Sequence, residues 1–314
     1  MFTCRFAFTM VLIFCLTAIA SAQSSTAKEF YNRGQQRYMK RDLKGAVADF
    51  TKVIEISSRP AGFRTQHAQE WKAASDAADQ TSDITFIDPL AAAAYTDRAL
   101  ARFHQGDVEG AIADCDRAIA IDPGLAEAYN NRGAARATQK NFDAAISDFD
   151  RTLEINPQFT QAYNNRANVR IKKGDITGAI ADFSQAIALN PRRAEVYCNR
   201  GHVKRDQGDI EGALADFEQA IAVDPRLADA YYSRGMARCD KSDLQEAIKD
   251  YTRATELNPR LAEAYGNRGL VRLRLGQEAD AEKDFAKCLQ LDPTLKSQLE
   301  ESIRMVKSLR LKQQ

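Results

Sequence analysis

The sequence predicts an all-α fold, an α-solenoid of antiparallel helix pairs, on three observations. Pro89, Pro123, Pro157, Pro191, Pro225, Pro259 and Pro293 stand 34 residues apart in a chain with eight prolines in all. Between successive prolines the apolar residues fall into two short helical patterns. A triplet then recurs in register: a small residue (Gly34, Ala99, Gly133, Ala167, Gly201, Gly235, Gly269), an alanine twelve on (Ala46, Ala111, Ala145, Ala179, Ala213, Ala247, Ala281), and a larger residue four further (Phe50, Cys115, Phe149, Phe183, Phe217, Tyr251, Phe285). A fixed period of this length marks units that bury their apolar faces only against neighbours. The two small positions let helix backbones approach closely, and the large one fills the gap between repeats.

The N-terminus reads as a targeting segment. Arg5 is the only charge before Lys28, Phe6 to Ile19 is almost wholly apolar, and Ala20-Ser21-Ala22 is a small-residue cleavage site. Residues 1–22 are therefore expected to be a secretory signal peptide cut after Ala22, and no integral membrane segment is expected after cleavage. An uncleaved anchor helix is the rival reading, and the apolar run is short for a membrane span.

Residues 24–58 form the first repeat, with Ser58 where later units have proline. Gly34 to Ala99 is 65 residues, so about one repeat's length, residues 59–91, is inserted; it holds the only tryptophan, Trp71. Residues 92–295 are six regular units. In these the first helix should end near Gly106, Lys140, Gly174, Gly208, Ser242 and Gly276, where glycine supplies a left-handed turn. The Asp-Pro or Asn-Pro pair should close the second helix, because proline removes a donor and holds the preceding residue extended. Residues 296–314 carry Leu299, Ile303 and Val306 at helical spacing among charges. They are expected to form a capping helix over the last repeat's open apolar face.

The triplet and closing proline resemble the tetratricopeptide repeat, from about Lys28 to Leu295 apart from the insertion. The resemblance implies helix pairs stacked as a right-handed superhelix, with first helices lining a concave groove that binds a protein or peptide. By that resemblance one asparagine per first helix faces the groove: Asn32, Asn131, Asn165, Asn199 and Asn267, with Asp97 and Ser233 as departures. An asparagine offers a donor and an acceptor together, so a column of them suits the main chain of an extended peptide. Asn130, Asn164 and Asn168 thicken the polar stretch. Tyr232, Met236, Leu270 and Leu273 should make the later groove apolar. The family's clamp for a C-terminal carboxylate is disfavoured, because Glu127, Gln161, Glu195, Asp229 and Glu263 stand at its basic positions.

One departure from the family recurs throughout. The residue before the small one and the residue three after it are basic in every unit, as in Arg132 with Arg136 and Arg166 with Arg170. The second helix answers with an aspartate: Asp49, Asp114, Asp148, Asp182, Asp216, Asp250 and Asp284. Arginine offers carboxylate a bidentate fork. A structural ladder within each repeat (Arg132 to Asp148, Arg166 to Asp182, Arg200 to Asp216) is the expectation, and a track for an anionic ligand the rival.

Composition excludes other classes. A formal net charge of +1 gives no electrostatic case for nucleic acid. Without a CxxC pair, neither a zinc nor a redox site is expected, and Cys198 and Cys239 differ in height along their helices. The three histidines, His67, His104 and His202, match no catalytic motif. The expectation is a non-enzymatic exported scaffold, periplasmic or secreted, without cofactor or metal. Structural self-association through exposed solenoid surface is the alternative.

Overall fold

The computed structural model describes residues 25–58 and 89–311, and all regular secondary structure there is helical. The signal peptide, and the insertion up to residue 88, lie outside the described residues. The chain divides into two compact units, residues 1–162 and 163–314.

The first unit holds α1 (residues 25–39), α2 (Leu43–Ser57), α3 (Pro89–His104), α4 (Val108–Ile121), α5 (Ala126–Thr138) and α6 (Phe142–Ile155). Helix α7 (Thr160–Lys173) spans the division. The second unit holds α8 (Ile176–Leu189), α9 (Ala194–Asp206), α10 (Ile210–Val223), α11 (Ala228–Asp240), α12 (Leu244–Leu257), α13 (Ala262–Arg274) and α14 (Glu278–Leu291). After a 3-10 turn at Pro293–Leu295 comes α15 (Lys296–Leu311). One boundary differs from expectation. Helix α3 begins at Pro89, inside the segment assigned to the insertion, because proline at the first helical position loses no hydrogen bond and has the right φ.

Three joints recur among the repeats. The first helix ends on a residue with positive φ: Gly106 (86°), Gly174 (83°), Gly208 (82°) and Gly276 (81°), but also Arg41 (63°), Lys140 (62°) and Ser242 (66°). There the chain turns back, as when the Asp175 amide donates to the Arg170 carbonyl at 2.9 Å. The second helix is then capped by Asp42, Asp107, Asp175 or Asp209, which accepts from the amide of Gly45, Gly110, Gly178 or Gly212. Those glycines are required, since a Cβ on them would lie 2.1–2.2 Å from the capping carboxylate. Asn141, Asp243 and Gln277 are followed at that spacing by Ala144, Glu246 and Asp280, and make no side-chain cap bond.

The exit joint explains the Asp-Pro and Asn-Pro pairs. Asp122 and Asn156 are extended, with φ of −133° in both, as a residue before proline must be. Their side chains then accept from the amide two residues on, Asp122 from Gly124 at 2.9 Å and Asn156 from Gln158 at 3.1 Å.

Packing follows the triplet. A Cβ on Gly34, Gly133, Gly201, Gly235 or Gly269 would stand 2.5–2.8 Å from the ring of Phe50, Phe149, Phe217, Tyr251 or Phe285. The second unit ends on α15. Leu299 of α15 is 6% exposed and packs with Ala262 and Cys288, with Ile303 beside them.

Candidate functional site: the arginine ladder and the first-helix face

The recurring bases and acids meet in every repeat. The aspartates are 2–4% exposed, and such burial of charge requires both partners and geometry. In the first unit Arg132 donates through Nη2 to Asp148 Oδ1 at 2.7 Å, and Arg136 through Nη1 to Oδ2 at 2.9 Å. In the second unit Arg166 and Arg170 hold Asp182 at 2.6 and 2.8 Å. Arg200 and Lys204 hold Asp216 at 2.6 and 2.9 Å. Asp49, Asp114, Asp250 and Asp284 are held alike.

The first arginine has two further partners. Its outer nitrogen reaches back to the second helix of the preceding repeat: Arg98 to Thr51 Oγ1 at 3.0 Å, Arg132 to Asp116 at 2.6 Å, Arg200 to Ser184 at 2.9 Å and Arg268 to Thr252 at 3.1 Å. Its guanidinium also lies over the aromatic ring three residues earlier. Arg132 is 5.3 Å from the Tyr129 centroid, Arg166 5.6 Å from Tyr163 and Arg268 5.3 Å from Tyr265. Each such arginine therefore fastens its own helix pair, and where the outer nitrogen is placed it also fastens the repeat before. The aromatic partner was legible in the sequence as Phe30, Tyr95, Tyr129, Tyr163, Tyr197, Tyr231 and Tyr265 at one register position, but its role needed the geometry.

Asn131, Asn165, Asn199 and Asn267 are half-buried, and two of them bond across to the neighbouring first helix. In the second unit Asn199 Nδ2 donates to Asn164 Oδ1 at 3.2 Å, and Asn267 Nδ2 to the Tyr232 hydroxyl at 3.0 Å. Each bond joins the first helices of adjacent repeats. At the joint between them, buried Ser233 pairs with His202 Nε2 at 3.1 Å. Asn168 donates to the Asn164 carbonyl at 3.0 Å within α7. Asn165 is half-buried. In the first unit Asn131 accepts from Asn130 at 3.4 Å, and Asn32 is exposed. In the second unit the Asn199 and Asn267 bonds thus form a polar seam between first helices, and each uses one amide N–H.

Beside this seam the second unit opens a cavity of about 270 Å³. Met236, Leu270 and Val271 give it apolar walls, Asn267 and Tyr251 polar edges, and Val306 of α15 lines it as well. Arg205 at its rim donates to Asp240 at 2.6 Å. Leu273 does not join this surface: it is 3% exposed and belongs to the core. Burial and the nearby Arg205 hold the His202 imidazole below its ordinary pKa of 6.5. Burial raises the Tyr232 phenol, with Glu263 adding to it.

Cys115, Cys198, Cys239 and Cys288 are free thiols. Burial pushes Cys115 and Cys198 up to about 12, which leaves them as protonated core fillers. Among the described residues no His, Cys, Asp and Glu group is placed to hold a metal ion, and no helix is long and apolar enough to cross a membrane.

A sequence profile described as "TPR repeat" matches residues 99–140, 167–204, 201–237 and 235–276. Two profiles described as "Tetratricopeptide repeat" match residues 126–159 and 262–295. The chain is therefore built of tetratricopeptide repeats, and it is an all-helical repeat solenoid. No curated protein matches it significantly. Among solved structures it is similar to a tetratricopeptide repeat protein from Parabacteroides merdae, with 17% identity and a TM-score of 0.58 over 90% of this chain and 99% of that one. It is also similar to Pseudomonas aeruginosa pilF, with 17% identity and a TM-score of 0.58 over 64% and 92% of the two chains. A third is YrrB, described as a TPR protein with an unusual peptide-binding site, with 20% identity and a TM-score of 0.50 over 62% and 97%. These identities establish likeness of fold.

Proposed function

We propose that the chain is an exported, non-enzymatic scaffold that binds a segment of a protein partner on the first-helix face of its repeats. The observation that carries this reading is the second-unit cavity beside the polar seam. Apolar Met236 and Leu270 lie next to Asn267 and the charged Arg205, a combination suited to one anchoring side chain and a few main-chain bonds. The ladder supports the same reading by elimination: its arginines spend their donors on aspartates and on neighbouring repeats, which disfavours an anionic-ligand track. YrrB lends a precedent of fold, being described as having a peptide-binding site. Export rests on the apolar run and Ala20-Ser21-Ala22, and the partner is then a periplasmic, secreted or envelope protein.

The test uses the processed chain as bait against the native envelope or secreted fraction. Wild type retains a specific polypeptide, and Met236→Gln loses at least most of it while melting within a few degrees of wild type. Equal retention by the variant would exclude this face. N-terminal sequencing of the chain recovered from the envelope or secreted fraction should begin at Gln23; a start at Met1 there would remove the cleaved-signal reading.

A further inference from the structure

The first unit has a cavity of its own. Gln35, Tyr38 and Met39 of α1, Phe50 of α2, and Asp97 and Leu100 of α3 line about 320 Å³. Met39 is 81% exposed at its edge, and the Tyr38 ring packs against His104 at 5.9 Å between centroids. The cavity is thus largely apolar and aromatic, apart from the Gln35 amide and one charged group, Asp97.

Asp97 is anomalous twice. It stands where Asn32, Asn131, Asn165, Asn199 and Asn267 stand in other repeats. It is also a partly buried carboxylate with no basic partner: among the described residues no lysine, arginine or histidine pairs with it, whereas every ladder aspartate has two bases. Gln35 Nε2 donates to its Oδ2 at 3.3 Å, and the Tyr31 hydroxyl is bonded to it as well. Two neutral donors compensate a desolvated anion only partly. Burial accordingly raises the Asp97 carboxyl, and Glu127 adds to the negative field.

What such a site lacks is a cation with an apolar stem. We propose that this cavity receives a lysine side chain of a partner polypeptide, its ammonium on Asp97 and its four-carbon stem along Leu100, Met39 and the Tyr38 ring. The occupant is chosen by charge complementarity and by the apolar walls. Lysine fits better than arginine because Gln35 already holds Oδ2, so both carboxylate oxygens are not free for a guanidinium fork. This inference does not depend on the second-unit face, so either can fail alone.

The test titrates the full processed chain with n-butylammonium, with neutral n-butanol as control, and follows backbone amide shifts of Asp97 and Leu100. Saturable shifts with n-butylammonium are expected, at least tenfold weaker with n-butanol and at least tenfold weaker in Asp97→Asn. Asparagine is native to this position in five repeats, so the variant should melt no lower than wild type. Absence of saturable shifts, equal shifts with n-butanol, or unchanged binding by Asp97→Asn would each overturn the proposal. So would a clearly lower melting temperature, because Asp97 would then serve the fold.

Discussion

Replacing Asp148 by asparagine removes one charge at nearly constant shape from the centre of the third repeat. Asp148 is 3% exposed and accepts from Arg132 and Arg136 at 2.7 and 2.9 Å. The substitution leaves two guanidiniums facing an amide whose N–H2 points donors at donors. Breaking a buried ion pair costs about 3–5 kcal/mol when the orphaned charge stays dry. The arginine side chains here are 15% and 26% exposed, so both can turn toward water, and Arg132 keeps Asp116 at 2.6 Å. The expected loss is therefore about 2–3 kcal/mol, below the fully buried case. Urea unfolding followed by circular dichroism gives the total, and native-state hydrogen exchange should place it in α5 and α6. Repeat arrays unfold unit by unit, so this local readout is the decisive one. A loss under about 0.5 kcal/mol, the scale of an exposed pair, would refute the claim that the ladder is a fastener.

Four further outcomes follow from the same geometry. Lys140→Gly and Ser242→Gly should each stabilise by about 0.5–1 kcal/mol in urea unfolding, because both sit at positive φ where four repeats use glycine. Gly110→Ala should destabilise by about 1–2 kcal/mol, since its Cβ would displace the Asp107 cap. Leu299→Ala should cost about 2–3 kcal/mol, with lost exchange protection confined to α13, α14 and α15. His202, held below its ordinary 6.5, is favoured neutral in the folded chain. Its contribution is complete above that value and is lost as pH falls through the depressed one. Wild type should lose stability on acidification below pH 6.5, and His202→Gln should lose less over the same range; equal slopes would show that His202 plays no part.

Much of this was legible in the sequence because the repeat states each residue seven times. Glycine against aromatic, aspartate against two bases, and proline after aspartate or asparagine are pair relations, and repetition makes pairs visible. Ala99 with Cys115 is one such pair, an alanine facing a small side chain, although Ala167 keeps the full Phe183. What stayed hidden depended on distances between repeats. The outer nitrogen of Arg200 reaches Ser184 in the previous repeat, and no spacing within one unit reveals that. Asn199 looks free for a ligand from its register, yet half its amide already bridges to Asn164. Losing that bond costs about 1 kcal/mol, so Asn199→Ala is expected to lower stability as well as any binding. Leu273 was misplaced for a related reason: helical register cannot distinguish a groove wall from the core side of the same helix near its end.

The central claim, that the first-helix face of the second unit receives a polypeptide, is tested most directly by site-specific photocrosslinking in the native fraction. A photoreactive phenylalanine is placed at Met236, inside the cavity, or at Lys249, whose side chain is 70% exposed on the second helix α12. The account predicts a discrete crosslinked polypeptide from position 236 and none from 249. Crosslinking from 249 with none from 236 would contradict it.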